Sequence, residues 1–177
     1  GEVMVKPHGG NAHAYDAGVF ACHSDEALAL LKDPTPAEQD ILGAIPFQEN
    51  DTVLHTDERL LPRRPLARAA WNYHRFAGRS AGESGRVTVT YDLPLLQRLP
   101  TQRRFLVTLN ATDAIDPAKV LRRMSYWHPV YNARSMAAQA RWREINGPNR
   151  TWYCGAWWGF GFHEDGVKSG LRVAEQI

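Results

Sequence analysis

Two short, unbroken apolar runs stand near opposite ends of this chain, Ala17 to Cys22 and Thr151 to Cys154, and turn residues with a helical pattern follow each. Short apolar runs without polar alternation are the mark of strands buried on both faces of a parallel sheet. The two are therefore expected to be neighbours in one small sheet although they lie far apart in sequence. The first run ends at His23-Ser24-Asp25-Glu26, where Ser24 is placed to cap a helix carrying Ala27, Leu28, Leu30 and Leu31 on one side. Asp33 to Glu38 breaks that helix and starts another, with Thr35 as N-cap, Pro36 at the first helical position and Glu38 as the capping-box acid, ending near Gly43.

Between the two runs the period changes. Asp51–Thr56, Ala69–Phe76, Arg86–Tyr91 and Arg103–Leu109 are rich in β-branched and aromatic residues and predict an antiparallel sheet. Gly78 to Gly85 reads as a turn, Leu93 to Leu99 as a short helix, and Met124 to Trp127 as a further strand leading into His128-Pro129. Ala133 to Asn146 places Met136, Ala137, Ala140 and Ile145 at helical spacing, with Asn146-Gly147-Pro148-Asn149 as a stop. The fold class expected is α+β: an antiparallel sheet inserted between two strand-turn-helix pieces.

Composition sets the limits of function. With 177 residues, 44% apolar and 23% charged, the chain is neither disordered, collagenous nor a coiled coil, and six each of Trp, Tyr and Phe supply a core. Lys and Arg number 21 against 19 Asp and Glu, too small an excess for a nucleic-acid footprint, so no nucleic-acid partner is expected. Arg59, Arg63, Arg64 and Arg68 are read as a solvated loop in preference to a phosphate site. Cys22 and Cys154 cannot frame a disulfide-dense secreted domain and are read as inert buried thiols, so a reducing cytoplasm is expected. No stretch is long and apolar enough to span a bilayer, and Gly1 to Asn11 lacks the order of a signal peptide. Gly1 is not an initiator, so the chain is expected to be processed, trimmed or part of a longer protein.

The segment richest in chemistry runs from Gly155 to Ala174. Glycines at 155, 159, 161 and 166 would let backbone approach a ligand closely, and a helix opening at Gly166 would offer free amides and a positive dipole end to a pyrophosphate or a ring oxygen. Ser169, Gly170 and Ala174 are small enough for that helix to pack tightly on a sheet. The competing reading is a glycine-rich hairpin before a terminal helix. His163-Glu164-Asp165 offers three ligand types that point in different directions, so no metal is assigned. Nucleophile-elbow, phosphate-loop and zinc-protease motifs are absent. His128 and His163 are read as structural histidines before proton-transfer groups, and Asn72 as a buried amide completing its own hydrogen bonds before a cavity-lining group.

These residues resemble a family. Thr151 to Ala174 is similar to the C-terminal flavin-binding signature of the flavin-containing amine oxidase superfamily, with Cys154-Gly155 at the strand end and Gly166-Val167-Lys168-Ser169-Gly170-Leu171-Arg172-Val173-Ala174 opening the helix. Leu54-His55-Thr56-Asp57 with Leu61-Pro62, Ala70-Trp71-Asn72-Tyr73, Tyr126 with His128-Pro129, and Gly159 to Gly166 resemble a bacterial subgroup of predicted NAD/FAD-binding proteins, as does Ala17 to Asp25. The resemblance implies a C-terminal portion of an FAD-dependent oxidoreductase that passes hydride from substrate to flavin. It implies flavin contacts at Gly155, Gly159, Gly161, Glu164, Asp165, Gly166 and Val167, with the backbone at Gly166 and Val167 facing the pyrimidine edge. It implies a substrate lining of Trp71, Asn72, Tyr73, His128, Trp157 and Trp158, although the two adjacent tryptophans read equally as core. The catalytic residues stay unassigned.

Two departures qualify it. The Gly-x-Gly-x-x-Gly fingerprint for the ADP pyrophosphate is absent, so the chain alone is not expected to bind FAD or to catalyse, and its expected partners are an N-terminal nucleotide-binding half and a second copy docked on an exposed face. Ala156 follows Gly155 where many relatives carry an acid, a role left to Glu164 and Asp165. On this reading residues 1–33 and 147–177 belong to an FAD-binding domain and 34–146 form the substrate domain. Amines, tetrapyrroles and unsaturated lipids are all permitted as substrates. The alternative is a non-enzymatic binding module derived from the substrate domain.

Overall fold

A computed structural model describes residues 1–75 and 86–177, and the turn expected over 78–85 lies outside the described residues. The chain forms two units, Gly1–Gln48 with His128–Ile177, and Glu49–Trp127.

In the first unit β1 (Val3–Val5) and β2 (His13–Tyr15) form an antiparallel hairpin. The two apolar runs become β3 (Gly18–Phe20) and β9 (Thr151–Tyr153), paired in parallel with Val19 opposite Trp152. Helix α1 (Ser24–Leu30) follows β3. Its N-cap is His23, and the expected cap Ser24 sits one residue inside, fully buried, with its hydroxyl donating to the Ile45 carbonyl at 3.0 Å. A tertiary acceptor outcompetes the local capping bond. Helix α2 (Pro36–Leu42) forms as its sequence predicts: Thr35 Oγ1 accepts from the Glu38 amide at 3.2 Å, Glu38 takes the Thr35 amide at 2.7 Å, and Gly43 closes the helix. The same Glu38 carboxylate accepts the Tyr153 hydroxyl at 2.6 Å, tying α2 to the buried end of β9.

Ala27, Ile41, Leu42, Ile45, Ala138, Ile145, Tyr153 and Trp157 make one buried cluster, which draws α1, α2, α4 (Ala133–Ala140) and β9 together. This cluster places α2 and α4 in the same unit as β3 and β9. Helix α4 is shorter than expected and differently phased. Asn132 Oδ1 accepts the Ser135 amide at 2.9 Å, which turns Ser135 and Ala138 inward and leaves Met136 51% exposed. Trp142, from the turn after α4, joins Trp152 and Val173 in a second cluster under α5 (His163–Ala174).

The second unit is built on a sheet of order β5-β6-β7-β4-β8, comprising β4 (Phe47–His55), β5 (Trp71–His74), β6 (Thr88–Asp92), β7 (Leu106–Leu109) and β8 (Val120–Pro129). The registered pairs β4/β7, β5/β6 and β6/β7 are antiparallel. The expected short helix is α3 (Leu93–Gln97), capped by Asp92 and closed by Arg98 in the left-handed region at φ 53°. The fold is α+β, with the antiparallel sheet inserted between strand-turn-helix pieces.

Candidate functional site

Two surfaces collect the residues singled out in the sequence, one in each unit. In the first, the chain leaves β9 through a tight loop into α5, and its own side chains fix that loop. The Gly155 amide donates to Ser169 Oγ at 3.0 Å. A Cβ at Gly155 would stand 2.3 Å from Trp157 Nε1, whose N–H donates to the Cys22 carbonyl at 3.0 Å. Trp157 is only 3% exposed and belongs to the core cluster, and the Trp158 indole donates to the Tyr153 carbonyl at 2.9 Å. Gln139, reaching over from α4, donates to the Trp157 and Gly159 carbonyls at 2.8 and 2.7 Å.

Asp165 organises the far side of the loop. Its Oδ2 accepts the amides of Phe160 and Phe162 at 3.0 and 3.1 Å, and a Cβ at Gly159 would meet its Cγ at 2.5 Å. Glycine at 159 is thus a requirement of this carboxylate. Gly161 takes φ +86°, where a side chain would be strained, and donates to the Ala156 carbonyl at 3.1 Å.

Helix α5 opens at His163, three residues before the expected start. The Gly166 amide is consequently inside the first turn, donating to the Phe162 carbonyl at 3.2 Å, and is not an open donor. The amides without a partner within the helix are those of His163 and Glu164. The Glu164 carboxylate lies on the surface, 3.6 Å from Lys168 Nζ, and Val167 is exposed. Gly170 meets no atom within 4 Å of a built Cβ, so this glycine does not serve close packing within this chain, whereas Ser169 is buried. His128 and His163 are both exposed.

Tyr131 carries no local sequence signal. Its hydroxyl is buried with no hydrogen-bond partner among the described residues, and a Cβ at Gly161 would lie 3.0 Å from it. Burial first, and the Asp165 charge second, push this phenol up to about 12, so it is a neutral donor. An orphaned buried donor beside the open end of a helix is suited to an acceptor-rich ligand edge.

In the second unit the sheet turns an aromatic row outward at its edge strand β5. Trp71, Tyr91, Val107 and Leu54 stand opposite one another on successive strands, with Tyr73 and Val89 as the next row. This apolar face is open, with Trp71 52% and Tyr73 62% exposed, and Trp71 meets Tyr91 edge to face at 5.3 Å. The opposite face is buried and mixed: Asn72, Thr88, Thr90, Asp92, Thr108 and His55 share it with Val53 and Leu106, and Val53 packs against Leu60 and Ile115. Asn72 belongs to that buried face, its amide donating to the carbonyls of Ala69 at 2.7 Å and Thr90 at 3.3 Å, so of the expected lining residues on β5 only Trp71 and Tyr73 face outward. The polar period of Thr88-x-Thr90-x-Asp92 was the available signal for this face. A cleft of about 450 Å³ lies along the edge strand β5, lined by Arg59, Leu60, Leu61, Trp71, Tyr73 and His74 among others.

A parallel strand pair interrupted by an antiparallel sheet with an open apolar face is a recognisable α+β class, and the comparisons agree with it. A CLA-producing fatty acid isomerase from P. acnes overlays the whole of this chain with a TM-score of 0.64 and 15% identity, over 45% of its own length. A protein of Exiguobacterium sp. 255-15 assigned as a protoporphyrinogen oxidase overlays it with a TM-score of 0.57 and 12% identity, over 44% of its length. The chain thus spans less than half of either enzyme. No family model matches the sequence, and no curated protein matches it.

Proposed function

We propose that this chain is the substrate-sheet and C-terminal flavin-contact portion of an FAD-dependent oxidoreductase of the amine oxidase type, acting on an apolar substrate. The observation that carries the reading is the parallel β3/β9 pair bracketing an antiparallel sheet whose apolar face is left open. Whole-chain overlay on an enzyme of fatty acids and on one assigned to protoporphyrinogen supports it.

The residues present fit a flavin at the first unit's loop. The His163 and Glu164 amides, the positive end of α5 and the orphaned Tyr131 hydroxyl would hold the electron-rich ring edge, and Gly159 and Gly161 keep the loop free of side chains. Asp165 acts one step back, holding the loop amides. When bound, FAD supplies the two-electron acceptor for hydride leaving the substrate. Trp71, Tyr73 and Tyr91 would seat an apolar substrate and exclude water, and the absence of charge from that row favours an unsaturated lipid or tetrapyrrole over an amine.

The test is an FAD titration, followed by flavin fluorescence, of this chain alone and of a protein that also carries a nucleotide-binding half. The chain alone is expected to leave free FAD unchanged. The longer protein is expected to bind it, with Tyr131→Phe raising Kd by about tenfold, the worth of one hydrogen bond to a charged or strongly polar acceptor. A longer protein that stays colourless at saturating FAD would rule the reading out.

A further inference from the structure

Four side chains on the buried face of the second unit's sheet form a single hydrogen-bonded row across β4, β7, β6 and β5. His55 Nε2 lies 2.8 Å from Thr108 Oγ1, Thr108 Oγ1 lies 2.7 Å from Thr90 Oγ1, and Thr90 Oγ1 lies 2.8 Å from His74 Nε2. His55, Thr90 and Thr108 are fully buried, and His74 lines the cleft along β5.

The row has one consistent direction. The Asp57 backbone amide donates to His55 Nδ1 at 3.0 Å, so that nitrogen is an acceptor and the neutral ring carries its proton on Nε2. His55 Nε2–H therefore donates to Thr108. The Thr108 hydroxyl then donates to Thr90, and the Thr90 hydroxyl donates to His74 Nε2. Reversing the last two bonds would leave Thr108 accepting twice, with its own proton stranded in the interior and no other acceptor among the described residues.

We propose that this row holds His74 as the Nδ1–H tautomer and couples proton uptake by His74 to release of the edge strand β5 from β6 at the cleft. A proton arriving on Nε2 must turn the Thr90 hydroxyl back toward Thr108 and strand the Thr108 proton. The row cannot drain that proton at its other end, because the donor facing His55 Nδ1 is a backbone amide. Among the described residues, charged or titratable groups near the row are Asp57 with Arg59 and Lys119 beside His55, Asp92 with Arg104 further along β6, and Arg59 with Tyr73 at the cleft wall that His74 also lines. Burial shifts His74 downward from its ordinary value of 6.5, and a hydroxyl donated to its neutral Nε2 acts in the same direction.

Nitrogen-resolved NMR of the imidazoles in the 177-residue chain, taken from about pH 8 to about pH 4, tests this. At neutral pH His55 is expected as Nε2–H and His74 as Nδ1–H. The amide exchange of Asn72, corrected for its intrinsic pH dependence, is expected to speed up in step with the titration of His74. Thr90→Val should move the His74 midpoint up toward 6.5 and mix its tautomers, and Thr90→Ser should restore both. His74 found as Nε2–H in the unmodified chain, or titrating as free histidine does, would overturn the proposal without recourse to any variant. So would Thr90→Val with an unchanged tautomer.

Discussion

Asp165 shows how much one carboxylate can organise. It accepts two loop amides, excludes any side chain at Gly159 and adds to the upward shift of Tyr131. Each bond to a charged acceptor is worth about 1.5–3 kcal/mol, so Asp165→Ala is expected to lower unfolding stability by about 3 kcal/mol in denaturant titration. Gly159→Ala should approach the same loss, because the added carbon and the carboxylate cannot share the space. Equal stability of both variants and the parent would mean that Gln139 alone holds the loop. At β9, Tyr153→Phe deletes the buried bond to Glu38 and leaves that carboxylate short of a partner, which should cost about 1–3 kcal/mol by the same measurement. Of these contacts the sequence signalled the glycines and Asp165. Tyr131, Gln139 and the Tyr153–Glu38 bond join residues from distant segments, and nothing in their local patterns announces them.

At the scale of the element, local capping chemistry was legible where no tertiary group competed. Helix α2 obeys Thr35, Pro36, Glu38 and Gly43, and Thr35→Ala should cost about 1 kcal/mol in thermal unfolding. Helix α4 reads otherwise, since the Asn132 cap sets its phase against the Met136-Ala137-Ala140 spacing. Strand β4 and its exit contribute to the acid sensitivity of the second unit. The Arg59 guanidinium, then the Asp116 and Arg59 amides, hold Asp57 well below the ordinary carboxylate range, while burial lowers His55 to about 4 against the opposing pull of Asp57. A depressed carboxylate contributes stability above its unfolded value and loses it as pH falls toward the folded one. A depressed histidine must stay neutral while the unfolded chain takes up a proton below about 6.5, so its loss begins higher. Acid unfolding should therefore start near pH 6 for the histidine and steepen below pH 4 for the aspartate. Asp57→Asn is expected to flatten the lower part of that profile, read by circular dichroism, and, by removing the opposing pull on His55, to steepen the upper part; a flattening of the upper part would reassign it.

For the whole molecule, the apolar residues without a place to go become the informative ones. Ser169 and Val173 turn one side of α5 inward, whereas Val167 and Leu171 stay exposed on the other. Exposed apolar surface of this kind is ordinarily covered by a partner, so light scattering is expected to show self-association of the 177-residue chain, relieved by Leu171→Lys. A monomer at high concentration would count against a covered face. No helix among the described residues is long and apolar enough to cross a membrane.

What the sequence determined by itself was everything that depends on neighbours along the chain: strand and helix identity for most elements, the cap of α2, and the alternation that makes β5, β6 and β7 a sheet. The parallel alignment of β3 with β9 was also foreseeable, because two isolated apolar runs have few other ways to be buried. Only the tertiary structure decided which face of each element turns inward. The period-2 pattern of the sheet specifies two faces and not their fates; here the threonine and histidine face is covered by the Val53, Leu60 and Ile115 cluster, and its hydroxyls and imidazoles tolerate burial because they satisfy one another in a row. That mutual satisfaction needs four strands in register at once. It leaves Trp71 and Tyr73 facing outward, and no single strand carries enough information to show it.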